Sequence, residues 1–413
     1  PWIGSYYICA LMQLDPAGHP TTPKGFRAAL HTCGIKVSGT PDLALLVSDI
    51  PAHWDAVFTT NAVAAAPVLF GRERLAQGRT LSAILVNSGN ANAVTGAQGL
   101  ADSRETAKLL ESSLGLAQGA VLVSSTGVIG VPMPMDKIRR GIPEVSTKPV
   151  ATGGADFARG IMTTDTRPKH ASVTFSHAGG EIHIGGCAKG AGMIHPRMAT
   201  MLSYITTDAT LHPEVLKSAF RKAVDASFNR ISVDGDTSTN DTCVIMANGA
   251  AGLAEILPGT EAAKAFESAL ALLTGHLARE IVRDGEGATT VVRLDVLNAR
   301  DDEQAEKVAR AVCNSPLVKC AIHGRDPNWG RILCADGYSG AGVMPESVDL
   351  CIQNVPVLLR GTPLSFDAPA LSKAMDGEEV TIRLDLGVGS ANTTFWTCDF
   401  SKDYVTINAD YTT

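Results

Sequence analysis

Positive charge and aromatic side chains are both scarce in this sequence, and each deficit argues against a class of partner. Aromatic residues make up 5% of the 413 positions, so no stacking platform for nucleic-acid bases stands out. Thirty-five lysines and arginines stand against 42 aspartates and glutamates, which gives a formal net charge of −7. Proteins that bind nucleic acid through its phosphates need a basic face. We therefore expect no nucleic-acid partner.

Long apolar runs are also missing. None reaches the roughly 18 residues that a membrane-spanning helix needs. Residues 1–14 are mildly apolar but have neither a basic leader nor an obvious cleavage site, so we do not interpret them as a signal peptide. We expect no membrane association and a cytoplasmic location.

Motifs of several enzyme classes do not occur. The nine cysteines form no Cys-x-x-Cys pair, and an odd, unpatterned set favours free thiols in a reducing compartment over a disulfide framework. The ten histidines show no zinc spacing, and neither a phosphate-binding loop nor a Gly-x-Ser-x-Gly elbow is present. The sequence thus argues against a metalloenzyme, a nucleotide enzyme and a serine hydrolase. We expect no metal and no cofactor.

The most informative stretch lies almost at the midpoint of the chain. It reads GGCAKGAGMIHPRMATML over residues 185–202, a glycine-rich bend that carries Lys189 and leads to Ala199 and Thr200. The residues alone leave two interpretations of Thr200 open. It is one step of an ordinary buried strand, or it is a nucleophile released by cleavage of the chain in front of it. In the second case its own α-amine, with an unperturbed pKa near 8, can accept the hydroxyl proton.

Three further residues, in two places, have both a chemical and an ordinary interpretation. Thr126 and Gly127 follow a short strand. Their hydroxyl and backbone N–H groups can hold an oxyanion, or the segment is a plain turn. Lys189 can bind a substrate carboxylate or lower the pKa of a nearby amine, or it is a solvated surface lysine.

The apolar patterns predict an α+β protein with a large layered first part and a smaller second part. We place an irregular lead-in at residues 1–22, a first domain at 23–287 and a second at 288–413. The patterns also predict a hairpin around Gly179 and Gly180, a polar loop at 232–241, a long helix at 261–282 and a strand at 404–409.

Several stretches together resemble one family over nearly the whole chain, from about residue 23 to the end. The stretches are VNSGNAN (86–92), STGVIG (125–130), IMTTDT (161–166), KGAGMI (189–194), MATML (198–202), SFNRISVDGD (227–236), DPNWGR (326–331) and INADYTT (407–413). In this order they resemble the ornithine acetyltransferase family, also called glutamate N-acetyltransferase, of arginine biosynthesis.

The resemblance implies an architecture and a processing step. The fold would be an N-terminal-nucleophile-like αββα sandwich with a smaller C-terminal α+β domain that contributes a C-terminal substrate-binding strand. Self-cleavage between Ala199 and Thr200 would give an α chain, 1–199, and a β chain, 200–413. Two such pairs would assemble into an α2β2 heterotetramer.

The resemblance also implies roles for single residues. Thr200 would be the nucleophile, and Thr126 and Gly127 the oxyanion-stabilising pair. The substrate-binding positions would be Thr163, Lys189, Thr200, Glu286, Asn408 and Thr413. The expected reaction moves an acetyl group from N2-acetyl-L-ornithine to L-glutamate through an acetyl ester of Thr200, in a ping-pong cycle without a cofactor.

Three other functions stay open at this point. A bifunctional member of the family would also take the acetyl group from acetyl-CoA as a co-substrate. A related self-processing aminopeptidase or amidase would hydrolyse the acyl-enzyme, although the match at 408–413 argues against it. A non-catalytic paralogue would have lost the chemistry, which the presence of Thr200 and its partners disfavours.

Overall fold

A computed structural model of the chain describes residues 12–78, 80–195 and 201–410. Within these residues nine strands share the first sheet. They are β1 (Met12–Asp15), β2 (Phe26–His31), β3 (Leu43–Phe58), β4 (Thr80–Asn90), β5 (Val121–Val128), β6 (Lys169–His177), β7 (Gly180–Lys189), β8 (Leu202–Thr207) and β9 (Thr242–Ala247). The strand order is β1-β6-β7-β8-β9-β3-β4-β5, and β2 also pairs with β3.

One long strand joins the two halves of this sheet. The first part of β3 pairs with both β2 and β4, whereas its last part, from His53 to Phe58, pairs with β9. The register of β3 against β4 shifts between Val47 and Ala52, and such irregularities bend a strand. The half-sheet β2–β5 and the half-sheet β6–β9 therefore belong to one sheet that doubles over on itself.

Helices cover both outer faces of the doubled sheet. The helices of this part are α1 (Ala66–Gln77), α2 (Gly96–Leu114), α3 (Met135–Ser146), α4 (Gly154–Gly160), α5 (Pro213–Ala226) and α6 (Glu261–Arg283). Of these, α4 places Phe157 and Ala158 between the two halves of the sheet and not on an outer face. The first three pack on the half with β2–β5, and α5 and α6 pack on the half with β6–β9. Between the halves lies a third apolar cluster with residues from both. The layers are thus helix, sheet, sheet and helix.

Side chains that alternate along each strand pack into two different apolar clusters, one on each face of the half-sheet. In β4, Ile84 and Val86 face the layer between the sheets while Leu85 faces the outer helices. In β9, Val244 faces inward and Ile245 faces α5 and α6. Both faces are apolar because both are covered, as expected for a strand buried on two sides.

A second sheet follows, built from six strands within residues 201–410. Its elements are β10 (Val291–Ala299), α7 (Asp302–Cys313), α8 (Pro316–His323), α9 (Trp329–Gly337), β11 (Asp349–Ile352), β12 (Val355–Leu359), β13 (Thr362–Pro363), α10 (Ala368–Ala374), β14 (Glu379–Asp385), β15 (Ala391–Cys398) and α11 (Lys402–Asp410). This sheet has its own apolar cluster. The predicted domain boundary after residue 287 lies between α6 and β10.

Several predicted elements are confirmed. Strands β6 and β7 form the predicted hairpin, with His177 opposite Gly180. The two residues between them, Ala178 and Gly179, both have positive φ, as a two-residue turn that follows the strand twist requires. The long helix at 261–282 is α6, which begins where the Thr260 side chain accepts a hydrogen bond from Ala263 N. The α+β class and the αββα layering are confirmed as well.

Two predictions are wrong. The C-terminal segment at 404–409 is not a strand but part of α11. The Tyr404 ring stacks on Phe400 four residues earlier, and Asn408 Nδ2 donates to the Tyr404 carbonyl at 3.0 Å. The alternation that predicted a strand faces no core, since α11 has no buried residue.

The lead-in predicted at residues 1–22 is not irregular throughout, because β1 pairs with β6. Residues 1–11 lie outside the described part of the chain.

No helix among the described residues is both long enough and apolar enough to cross a bilayer.

Candidate active site

A polar cleft of about 650 Å³, including its open mouth, lies where the ends of several strands meet two loops. Residues from both halves of the first sheet and from α11 line it: Ala91, Thr126, Gly127, Ile129, Thr163, Thr164, Lys189, Gly192, Met193, Ser238, Thr239, Asn240, Glu286 and Asn408. The structure therefore brings together all the sequence-predicted site residues that it describes, namely Thr126, Gly127, Thr163, Lys189, Glu286 and Asn408.

Gly127 sits where its strand comes very close to a neighbour. It lies opposite Gly89 in the parallel pairing of β4 and β5, with a φ of +134°. A Cβ atom at this position would lie 2.3 Å from the Gly89 carbonyl carbon and 2.5 Å from Asn90 N. Only glycine meets both demands, the positive φ and the close backbone approach.

Lys189 ends β7 and is 3% exposed. Its ammonium Nζ donates to Thr126 Oγ1 at 3.1 Å. Because the lysine donates to this hydroxyl oxygen, the hydroxyl hydrogen of Thr126 must point elsewhere and is available as a donor. Burial lowers the pKa of Lys189, and the nearby Asp165 opposes that fall. Lys189 is therefore a buried donor that prepares Thr126 to donate a hydrogen bond in turn.

Glu286 and Asn408 form another part of the cleft lining. Glu286 N donates to the Ala191 carbonyl at 2.9 Å, which ties the glutamate to the glycine-rich bend. Asn408 Nδ2 donates to Glu286 Oε2 at 2.8 Å. Gly192 lies directly against this carboxylate, since a Cβ there would come within 2.5 Å of both its oxygens. The glycine-rich bend thus leaves room for the acid.

Thr163 is fixed by an aspartate two residues later. Its backbone N–H donates to Asp165 Oδ2 at 3.0 Å, while Gly190 N donates to Asp165 Oδ1 at 2.6 Å. Burial alone would raise the pKa of Asp165, but Lys169 and Lys189 hold it at about 2. A single buried carboxylate therefore links Thr163 to Gly190, the residue that follows Lys189.

The predicted polar loop at 232–241 supplies residues that sequence reasoning did not assign to the site. Asn240 Nδ2 donates to the Ala91 carbonyl at 2.6 Å and to the Ser125 carbonyl at 2.8 Å. Asp241 Oδ1 accepts from Met201 N at 3.0 Å. Its Oδ2 is buried without a hydrogen-bond partner among the described residues, and burial raises the pKa of this carboxyl well above its usual range.

The predicted cleavage pair Ala199 and Thr200 and the predicted substrate-binding Thr413 lie outside the described residues. The described chain resumes at Met201, whose carbonyl accepts from Thr242 N at 3.1 Å. Leu202 lies opposite Lys189 in the pairing of β7 with β8. The residues that directly follow Thr200 in the chain are thus held beside Lys189 and Asp241.

The cleft can bind and polarise a small acylated amino acid. It offers a buried ammonium for a carboxylate, a hydroxyl donor on Thr126, and the carboxylate of Glu286 for a cationic group. Such donors, fixed in advance and partly shielded from water, are suited to a carbonyl oxygen that gains negative charge.

Comparison with known proteins places the chain in one group of sequences. The profile of the ArgJ family matches residues 27–413. The arginine biosynthesis bifunctional protein ArgJ of Symbiobacterium thermophilum is 48% identical over 399 residues, which cover 96% of this chain and 99% of the relative. That of Geobacter sulfurreducens is 49% identical over 391 residues, which cover 94% and 99%.

A solved structure is similar as well. The crystal structure of arginine biosynthesis bifunctional protein ArgJ from Bacillus halodurans shares 42% identity with this chain at a TM-score of 0.50. The match covers 51% of this chain and 100% of the solved one.

Proposed function

The chain belongs to the ArgJ family, and we propose that it transfers an acetyl group from N2-acetyl-L-ornithine to L-glutamate. The products are L-ornithine and N-acetyl-L-glutamate, so the chain is an acyltransferase of arginine biosynthesis. The observation that carries the proposal is the cleft itself. Six residues to which the family resemblance gives a role line this one cavity, although they come from positions between 126 and 408.

The nucleophile would be Thr200, released by self-cleavage. Its hydroxyl oxygen attacks the carbonyl carbon of Ala199, the peptide C–N bond breaks, and the departing nitrogen takes the hydroxyl proton to become the α-amine of Thr200. Water then hydrolyses the resulting ester. The length of the solved relative supports processing, because that chain spans only 51% of this one. So does the anchoring of Met201 by Asp241 and Thr242.

Acetyl transfer would repeat this chemistry on a substrate. The α-amine of Thr200 takes the hydroxyl proton while the oxygen attacks the acetyl carbonyl of acetylornithine. Gly127 N–H and the Thr126 hydroxyl stabilise the oxyanion. The C–N bond breaks, the proton passes to the leaving ornithine nitrogen, and an acetyl ester remains. The α-amine of glutamate then attacks the ester carbonyl, the C–O bond to Thr200 breaks, and a proton from the glutamate amine returns to the Thr200 oxygen.

Two variants of the predicted nucleophile test this mechanism. Under denaturing conditions the wild type should show two species of roughly half of 43.1 kDa, one of them beginning at Thr200. Thr200→Ala should remain uncut and inactive, whereas Thr200→Ser, which keeps a hydroxyl, should still be cleaved. Initial rates in both substrates should give parallel double-reciprocal lines. Normal processing of Thr200→Ala, or intersecting lines, would contradict the proposal.

Use of acetyl-CoA is a second candidate function. The relatives from Symbiobacterium thermophilum and Geobacter sulfurreducens are both named bifunctional, which favours a second acetyl donor here too. The test incubates the purified enzyme with acetyl-CoA and glutamate in the absence of acetylornithine. Formation of acetylglutamate that Thr200→Ala abolishes would support this activity, and its absence would restrict the enzyme to recycling the acetyl group.

Hydrolysis is the alternative fate of the acetyl ester. Water must be kept from the ester until glutamate arrives, otherwise the enzyme acts as an amidase. Release of ornithine from acetylornithine without glutamate would reveal such an activity. We expect it to be much slower than transfer.

The assembly and location complete the proposal. We expect the α and β chains to stay together as an α2β2 heterotetramer in the cytoplasm, with no metal or cofactor required. Sedimentation of the cleaved enzyme measures the assembly.

A further inference from the structure

We infer that Asp165, Lys169 and Asp284 form a buried ionic triad that positions the substrate-binding residues and supplies the negative charge that keeps Lys189 cationic. This role depends on the acetyl transfer proposed above. None of the three residues is assigned a function by the family resemblance described earlier.

The triad is compact and dry. Lys169 Nζ lies 2.6 Å from Asp165 Oδ1 and 2.5 Å from Asp284 Oδ2. The side chains of Lys169 and Asp165 are fully buried, and that of Asp284 is 3% exposed. Charges removed from water to this extent are costly unless they are paired and hydrogen-bonded. All three members meet this condition.

Each aspartate also binds backbone groups next to the cleft. Asp165 accepts from Thr163 N and Gly190 N, the second of which directly follows Lys189. Asp284 accepts from Thr166 N at 3.1 Å and from the Thr166 hydroxyl.

Lys169 therefore fastens three segments to one another. They are the loop with Thr163, the end of β7 with Lys189, and the end of α6. Glu286 follows Asp284 by two residues. A shift in any of these segments would change the spacing of the cleft walls, and misplacement by about 1 Å can reduce a rate roughly a hundredfold.

Charge gives the triad a second effect. Its two aspartates and one lysine sum to −1, which balances the buried ammonium of Lys189. The ionisable groups that act on Lys189 are Asp165, Lys169, Asp241 and Glu286, together with Lys36. Burial favours the neutral amine of Lys189, and among the neighbouring charges Asp165 opposes this most strongly.

A purely structural ion triad would also destabilise the protein when broken, so stability alone does not test the inference. The inference is tested by the alkaline limb of the activity profile, which is the pH range over which activity falls as the pH rises. The position of this limb depends on charge and not on how much of the variant folds. The relevant profile is kcat/KM for acetylornithine, which reports groups that titrate in the free enzyme and free substrate.

The sign of the charge that each variant removes fixes the direction in which this limb moves. Asp165→Asn removes a negative charge and should move the alkaline limb to lower pH by about one unit or more. Asp284→Asn should move it the same way but less. Lys169→Met removes a positive charge and should not lower the limb. In Lys189→Arg, whose guanidinium stays charged, the alkaline limb should be set by the side-chain ammonium of free acetylornithine and should no longer move when Asp165→Asn is added.

A matched surface variant controls for a general effect of losing one acid. Asp156→Asn removes an acid whose side chain is 55% exposed and pairs with Arg159, and it should leave the limb in place. An unchanged limb in Asp165→Asn, or a limb that still moves when Asp165→Asn is added to Lys189→Arg, would overturn the inference. Absence of acetyl transfer in the wild type would instead contradict the proposed function.

Discussion

Substitution of Gly127 by alanine should reduce both the stability of the fold and the rate of acetyl transfer. Both depend on the close approach of the Gly127 backbone to the neighbouring strand β4. The added Cβ would lie 2.3 to 2.7 Å from three backbone atoms of Gly89 and Asn90. Backbone cannot rotate aside as a side chain can, so β4 and β5 must separate. The φ of +134° is unfavourable for alanine in addition.

The two penalties can be estimated separately. A non-glycine residue in such a backbone conformation costs about 1–3 kcal/mol, and forcing an extra methyl group into close-packed surroundings costs about 1–3 kcal/mol more. We expect Gly127→Ala to lower the free energy of unfolding by about 2–6 kcal/mol. Displacement of the Gly127 N–H should lower kcat by about a hundredfold or more, as loss of one oxyanion donor does.

Gly130→Ala is the matched control. Gly130 also has a positive φ, +82°, but a Cβ there would meet no atom within 4 Å. It should lose only about 1–2 kcal/mol and retain acetyl transfer. Urea unfolding and initial transfer rates measure both quantities. Equal stability of the two variants would refute the packing argument, and a destabilised Gly127→Ala with an unchanged kcat would refute the oxyanion role.

Three further variants test other parts of the structure. Burial raises the pKa of Asp336 to about 7, so this acid weakens the fold as pH rises from about 4 through 7. Asp336→Asn should match the wild type near pH 4 and be more stable in urea at pH 8, by up to about 4 kcal/mol. Asn408→Ala removes the donor to Glu286 Oε2 and should raise KM by about three- to tenfold while kcat changes less. Asp241→Ala leaves the buried Met201 N–H without its acceptor; by mass spectrometry it should be cleaved more slowly than Asp241→Asn, and in urea it should lose about 1–3 kcal/mol.

Each of these has a clear contrary result. Asp326→Asn is the control at an exposed acid, and identical pH dependence of the unfolding free energy in Asp336→Asn and Asp326→Asn would contradict the burial argument. A fall in kcat with constant KM in Asn408→Ala would contradict a binding role. Cleavage of Asp241→Ala at the wild-type rate would show that anchoring of Met201 does not matter for processing.

Local pattern predicted the parts of this fold that depend on neighbours in sequence. The hairpin of β6 and β7 follows from two apolar runs around Gly179, and α6 from apolar residues at helical spacing. The same reasoning failed for α11. Residues 404–409 alternate between apolar and polar as in a strand, but Tyr404 stacks on Phe400 and Asn408 donates to the Tyr404 carbonyl, which are contacts between residues four positions apart, as in a helix. Alternation predicts a strand only where one side meets a core.

The ionic triad illustrates what pattern could not supply. Asp165 and Lys169 are four residues apart and share one stretch with Thr163, so a local link was within reach of the sequence. Asp284 is 115 positions from Lys169, and only the folded topology brings α6 to the start of β6. Asn240, likewise, donates to carbonyls 149 and 115 residues away, which no spacing rule predicts.

The distribution of charge in the cleft accounts for how one site can serve two substrates in turn. Under the proposed reaction, the ornithine side chain is cationic and the glutamate side chain is anionic, while the α-carboxylate is common to both. Lys189 is buried and held against Thr126, and the ionic triad inferred above keeps it cationic, so it is a fixed partner suited to the shared group. Glu286 and Asn408 meet at the exposed helix α11. There the carboxylate can pair with the ammonium of ornithine, and the amide can donate to the carboxylate of glutamate. Lys189 is thus a rigid partner for the α-carboxylate that both substrates share, and Glu286 and Asn408 serve the side chains that differ. With these two sets of partners the enzyme can exchange ornithine for glutamate without rearranging its catalytic residues.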